Sequence, residues 1–194
     1  MIALSVGVFD GVHLGHRRLL QTLKEQGCRA VALTFSNHPA EVLAGKALSQ
    51  LTPLPLKLAL LKEMGLDEVI ALPFTRALAS QSYQEFLAPY PIRRLILGEG
   101  DAFGKGRQGT EQTLRLLGLQ RGFAVDVVPK LRDGGEVISS TRIRALLVDG
   151  DLKGVERLLG RPYCFLPGKG HIALPPDGEY KAWLYSAEIG RAHV

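Results

Sequence analysis

Cysteine is scarce in this 194-residue chain: Cys28 and Cys164 stand far apart and show no metal-ligand spacing. That excludes a disulfide scaffold, fits a reducing compartment, and makes the cytoplasm the expected location. No apolar run approaches the roughly 18 residues of a membrane helix. The N-terminus, Met-Ile-Ala-Leu-Ser-Val-Gly-Val, lacks the basic segment and small-residue cleavage site of a secretory signal. There is no internal repeat, no low-complexity stretch, and no basic run of the kind that marks nucleic-acid tails. Neither a membrane nor a nucleic acid is therefore an expected partner. What remains is ordinary globular material, 46% hydrophobic and 22% charged, enough for one domain with a short appendage.

Charge is unevenly spread. Residues 91–145 carry ten Lys/Arg against six Asp/Glu, so +4 of the net +5 lies there. Such a region suits a polyphosphate ligand, and it also suits a plain solvated surface.

Periodicity predicts strands at Ala3–Phe9, Ala30–Phe35, Glu68–Leu72, Arg94–Leu97 and Ala124–Val128. Helices are expected at His16–Gln26, Pro55–Gly65, Gln84–Leu87, Gln112–Leu119, Thr141–Val148 and Leu152–Leu159. Strand alternating with helix means βαβ units, hence a Rossmann-like, doubly wound parallel sheet in an α/β domain. Residues 1–160 form that domain, and 161–194 a tail. In the tail, turn signals at Gly168-Lys169-Gly170 and Pro175-Pro176-Asp177-Gly178 predict a hairpin pairing His171–Leu174 with Tyr180–Tyr185. Ligands of such sheets bind beyond the carboxyl ends of the strands, so the loops there are where chemistry is expected.

Four loops stand out. Gly7-Val8-Phe9-Asp10-Gly11-Val12-His13-Leu14-Gly15-His16 runs from the first strand into the first helix. Its glycines allow close backbone approach, the helix start favours an anion, and His13 and His16 share one side of the turn. Phosphate binding is the expected role; a tight turn with two surface histidines is the plainer alternative. Thr34-Phe35-Ser36-Asn37-His38-Pro39 places His38 at the sheet edge, as a ligand contact or as a turn residue before proline. Residues 98–109 hold five glycines with Asp101, Phe103, Lys105 and Arg107. They suit a mobile, ligand-closing loop or a flexible surface loop. Ile138-Ser139-Ser140-Thr141-Arg142-Ile143-Arg144 opens a helix. Its hydroxyls either cap that helix or, with Arg144, bind phosphate oxygens.

Taken together, G-V-F-D-G-V-H-L-G-H, T-F-S-N-H-P, the glycine-rich loop and I-S-S-T-R-I-R resemble the prokaryotic FAD synthetase family. The segment from Asp149-Gly150-Asp151 to Leu158-Leu159-Gly160-Arg161-Pro162-Tyr163 is similar to that family as well, so the resemblance spans residues 2–163 in order. It implies the nucleotidyltransferase α/β fold and FMN adenylyltransferase activity, in which FMN and ATP give FAD and pyrophosphate. Typical members also carry a β-barrel riboflavin kinase domain. No kinase motif follows Tyr163, so the tail is expected to be at most a remnant of such a domain, without riboflavin kinase activity, and a separate riboflavin kinase is a candidate partner. Two departures from the family pattern bear on the site. The loop usually reads G-E-[DN]-F-x-F-G, but Gly100 and Asp101 occupy the third and fourth positions here; Asn37 stands where proline is usual in T-F-x-P-H-P.

The resemblance implies roles for individual residues. His13 and His16 contact the ATP phosphates, with Ser139, Ser140, Thr141 and Arg144 at the β/γ end. Gly7, Phe9, Asp10 and Gly11 shape the turn, and His38, Asp101, Phe103, Lys105 and Arg107 line the nucleotide and flavin side. Mg2+ arrives with ATP, and no protein metal site is expected. The competing readings are a non-catalytic flavin-nucleotide binder, a nucleotidyltransferase for another phosphorylated acceptor and, least favoured, a class I aminoacyl-tRNA synthetase.

Overall fold

The computed structural model describes residues 1–45, 48–165, 171–180, 183–186 and 190–193. Five strands, β1 (Ile2–Val6), β2 (Arg29–Phe35), β3 (Glu68–Leu72), β4 (Ile92–Gly98) and β5 (Ala124–Val128), form one sheet in the order β3-β2-β1-β4-β5. Every pairing in it is parallel. Parallel strands need crossover connections, and here these bring helices to both faces, so the central strands are apolar on both sides. Six of the seven residues of β2 are buried.

Alternation along β1 separates two cores. Leu4 and Val6 face one side, with Leu33 and Phe35, under helices α5 (Tyr83–Leu87) and α6 (Glu111–Arg121). Ala3 faces the other, with Ala30 and Ala32, under α1 (Leu14–Lys24) and α3 (Leu54–Glu63). Leu19, Leu20 and Leu23 form the buried stripe of α1, each worth roughly 1.5–3 kcal/mol of transfer free energy. A third cluster joins α7 (Ser140–Val148) and α8 (Leu152–Leu159) to Leu51 and Ala173.

The expected doubly wound α/β fold is thus the observed one, with local differences. β1 stops at Val6, three residues before the apolar run ends, because Phe9 adopts a left-handed φ of 51°. Helices α2 (Pro39–Ala44) and α4 (Arg76–Ser80) lay beyond the sequence reading, being too short to show a period. The two-residue strands β6 (Arg132–Asp133) and β7 (Glu136–Val137) close a small hairpin across Gly134 and Gly135. The tail pairs differently from expectation. Ile172 bridges Gln50, and the tail hairpin is formed later, by β8 (Trp183–Ser186) with β9 (Gly190–His193). The backbone of His171 and Ala173 is spent on Gln50, which accepts from Ala173 N and donates to the His171 carbonyl. The Gly168-Lys169-Gly170 turn lies outside the described residues.

Candidate active site at the carboxyl edge of the sheet

Sheet order reverses between β1 and β4, and the loops leaving their carboxyl ends flank the crevice where ligands of open α/β sheets bind. The β1 turn, residues 7–13, is the most constrained of these loops. Phe9, Gly11 and Val12 all take positive φ, and the side chains of Phe9 and Val12 are buried. Gly11, at φ 85°, also lies so close to Leu51 that a Cβ would sit 2.8 Å from its Cδ1. Gly7 donates to the Leu33 carbonyl and lies under the Phe9 ring.

Asp10 knots this turn to the rest of the domain. Its buried carboxylate accepts from the amides of Leu51 and Thr52, at 3.0 Å each, and pairs with the Arg144 guanidinium. Arg144 donates as well to the Ser49 carbonyl, and the Ser140 hydroxyl to the Asp10 carbonyl at 2.8 Å. Thr52 Oγ1 accepts from Gly11 N, and Arg161 donates to the Gly11 carbonyl. The start of α7 is therefore held against the β1 turn across 130 residues of sequence.

His13 caps α1, and its Nδ1 accepts from His16 N at 3.3 Å. A neutral imidazole that accepts at Nδ1 carries its proton on Nε2, so His13 presents an N–H donor at its other nitrogen. The two rings stack, centroids 3.6 Å apart, and Phe9 meets His16 edge-on at 5.3 Å. Burial pushes the His13 pKa down to about 4, against the pull of Asp10. Burial, then His13 and Lys57, hold His16 well below its ordinary value. Both rings are neutral at pH 7.

The remaining expected residues are distributed as follows. Half-buried His38 caps α2 through Nδ1, which accepts from Ala40 N; burial lowers its pKa, with Asp10 and Arg144 within electrostatic reach. Ser139 caps α7 by accepting from Arg142 N, while Thr141 is exposed and has no hydrogen-bond partner among the described residues. Asp101 folds back to accept from Gly98 N at 2.9 Å, closing the end of β4. Phe103 packs edge-on to Phe86 and bridges Gly109, so it serves the core. Lys105 and Arg107 are exposed on a 3-10 turn tied to Gln81 through the Lys105 amide, and nothing links them to the β1 turn among the described residues. Residues 99–109 are thus fastened to the start of α5. The family departures also acquire reasons. Gly100 sits at φ 76°, a backbone that Gly, Asn and Asp accept most readily, so glycine meets the same demand as the usual residue. Asn37 exchanges two hydrogen bonds with the Phe74 backbone, extending the contact between β2 and β3.

Several residues of the site escaped the sequence reading. Ser49 and Leu51 act through their backbone, which leaves no motif, and Thr52 acts through both its amide and its hydroxyl. Lys57 did leave a signal: it occupies the buried stripe of α3 with Leu60 and Leu61, where an apolar residue is expected. Its Nζ donates to the carbonyls of Val8 and Phe35 at 3.1 and 2.7 Å.

Comparison with known proteins agrees with this geometry. The family model for FAD synthetase matches residues 1–142. The chain is 37% identical to the bifunctional riboflavin kinase/FMN adenylyltransferase of Escherichia coli K12, over 82% of this chain and 54% of that protein. It is 31% identical to a FAD synthetase of Listeria monocytogenes, over 92% of this chain and 79% of the relative. The fold is similar to the crystal structure of a macrolide-efflux protein from Streptococcus pneumoniae, with a TM-score of 0.82 and 25% identity over the whole of this chain and 83% of that one. Among the described residues no helix is long and apolar enough to cross a membrane. The chain spans about half the length of the bifunctional relatives it matches. On the match to residues 1–142 and the identity to these relatives, the chain belongs to the FAD synthetase family.

Proposed function

We propose that this chain transfers AMP from ATP to FMN, giving FAD and pyrophosphate. The observation that supports this most is the junction of Ser140 and Arg144 with Asp10, which holds the start of α7 against the turn that carries the stacked imidazoles. The FMN phosphate is largely dianionic at pH 7 and needs no general base. One of its oxygens attacks the α-phosphorus of ATP in line; the new P–O bond forms as the bond from the α-phosphorus to the bridging oxygen breaks, and pyrophosphate takes that electron pair. Catalysis then rests on positioning and on stabilising charge at the phosphates. In this reading His13, through its Nε2 proton, and His16 donate to the phosphates, and the free amides of Ser140 and Thr141 with the Thr141 hydroxyl receive the β/γ end. Arg144 contributes by holding Asp10, and His38 flanks the ligand beyond β2. Magnesium would enter with ATP as the MgATP substrate and would supply neutralising charge at the phosphates. A riboflavin kinase is the class of enzyme that supplies FMN.

The test is pyrophosphate release and FAD formation from MgATP with FMN, with riboflavin and other phosphorylated acceptors in parallel. FMN is expected to be the acceptor used. Binding of FMN or ATP with no pyrophosphate released identifies a binder and overturns the enzyme reading. In the active protein His16→Ala is expected to lower kcat/KM by about 10²–10³, equivalent to about 2.7–4 kcal/mol, as for loss of one preorganised donor. Turnover equal to wild type would remove His16 from the assignment.

A further inference from the structure

Lys57 is the one lysine in the core among the described residues, only 6% exposed. No carboxylate pairs with it there; the nearby Asp10 is committed to Leu51, Thr52 and Arg144. Packing alone would be better served by leucine or methionine at this place on α3, because an unpaired buried charge is costly. Its ammonium has three N–H groups, two of them spent on Val8 O and Phe35 O. Val8 O also accepts from the Thr34 hydroxyl. The β1 turn is thereby tied to the end of β2 immediately before Phe9 enters its left-handed conformation. His16 on α1 and His38 ahead of α2 both lie within electrostatic reach of this ammonium. The neighbourhood therefore holds positive charge and neutral imidazoles, and the carboxylate within its reach, Asp10, is already paired with Arg144.

We propose that Lys57 is a positioning residue for adenylyl transfer: it clamps the β1 turn to β2 and sets a positive charge within electrostatic reach of His16, which the ATP polyphosphate neutralises. This rests on the reading of the turn as the ATP phosphate site. Burial lowers the Lys57 pKa to about 8, with Asp10 opposing the shift. Of the groups facing it, His16 and His38 are neutral above pH 7, while Asp10 in the turn and Arg144 on α7 pair with each other. Loss of the Lys57 proton is thus the titration expected in the free site near pH 8. Bound polyphosphate favours the protonated form, so kcat/KM for ATP falls near that pH while kcat holds to higher pH.

The experiment measures MgATP affinity by calorimetry without FMN, from pH 6.5 to 9.5, alongside kcat and KM for FAD formation. Wild-type affinity is expected to fall about tenfold across the alkaline half of that range, because the protonated fraction of one group drops about tenfold per pH unit above its pKa. Lys57→Gln keeps amide donors without the charge; it is expected to bind MgATP at least about tenfold more weakly at pH 7 and to lose the alkaline fall. Exposed Lys62→Gln on the same helix serves as the control. A Lys57→Gln protein with wild-type melting temperature, affinity and pH profile overturns the proposal. So does a flat wild-type profile, which needs no variant to fold. If MgATP binding shows the expected profile but FMN is not adenylylated, the Lys57 assignment stands and the adenylyltransferase reading falls.

Discussion

Among single residues, the imidazole pair sets the pH behaviour. The unfolded chain protonates His13 near pH 6.5, whereas the folded protein resists down to about pH 4. Between those values the unfolded state binds more protons, so stability rises with pH and is lost as pH falls through the window. His13 alone accounts for a loss on the order of 2–3 kcal/mol over that range. His13→Asn keeps an N-cap acceptor and removes the titration. Urea unfolding at pH 7 and pH 5 is expected to show a smaller drop for the variant than for wild type. Equal drops would mean that His13 takes a proton in the native state as readily as in the unfolded one. Asp10 illustrates a different division of labour, since its carboxylate is satisfied entirely by Leu51, Thr52 and Arg144 and so builds the turn.

At the level of elements, helix ends and close approaches hold the site edge in register. Ser139, Thr110, Ser82 and Thr75 each cap a helix with a hydroxyl that accepts from the backbone amide three positions on. Gly118 of α6 matters through the space it leaves. A Cβ there would stand 2.4 Å from the Phe123 carbonyl oxygen, which is backbone and cannot rotate away. Alanine usually improves a helix interior by about 1 kcal/mol, but here overpacking at the junction of α6 and β5 dominates. Gly118→Ala is expected to lower stability by about 1–3 kcal/mol in chemical denaturation, and a stabilised variant would show that β5 can shift away at no cost.

Considered as a whole molecule, the tail is fastened to the β1-turn side of the domain. Arg161 bonds the Gly11 carbonyl, Tyr163 bonds the Ala173 carbonyl at 2.6 Å, and residues 171–173 pair with Gln50, beside the Leu51 amide that Asp10 binds. Each net hydrogen bond is worth about 0.5–1.5 kcal/mol, and in a domain of this size 1 kcal/mol corresponds to about 2–4 °C. A chain ended after Gly160 is therefore expected to melt at least about 4 °C lower than the full chain, and to bind MgATP more weakly because the turn loses its clasp. An unchanged melting temperature and affinity would show that the tail is a passenger.

Periodicity alone was enough to read the βαβ alternation, the two-faced core and the edge of the sheet where ligands bind, because those follow from apolar spacing and right-handed crossovers. The motifs around His13, His38 and Ser139 were legible for the same reason: each lies within one short run of chain. Contacts between distant segments were not. Arg144 is an apparent phosphate ligand in its own motif and becomes the partner of Asp10 only when α7 folds against the β1 turn. Phe103 resembles a flavin contact until α5 supplies Phe86 for it to pack on. Lys57 has no motif at all; its meaning arises where two strand ends place their carbonyls side by side. Hydrogen bonds and charges act over a few ångströms of space, whatever their separation along the chain, so their partners exist only once the chain has closed on itself.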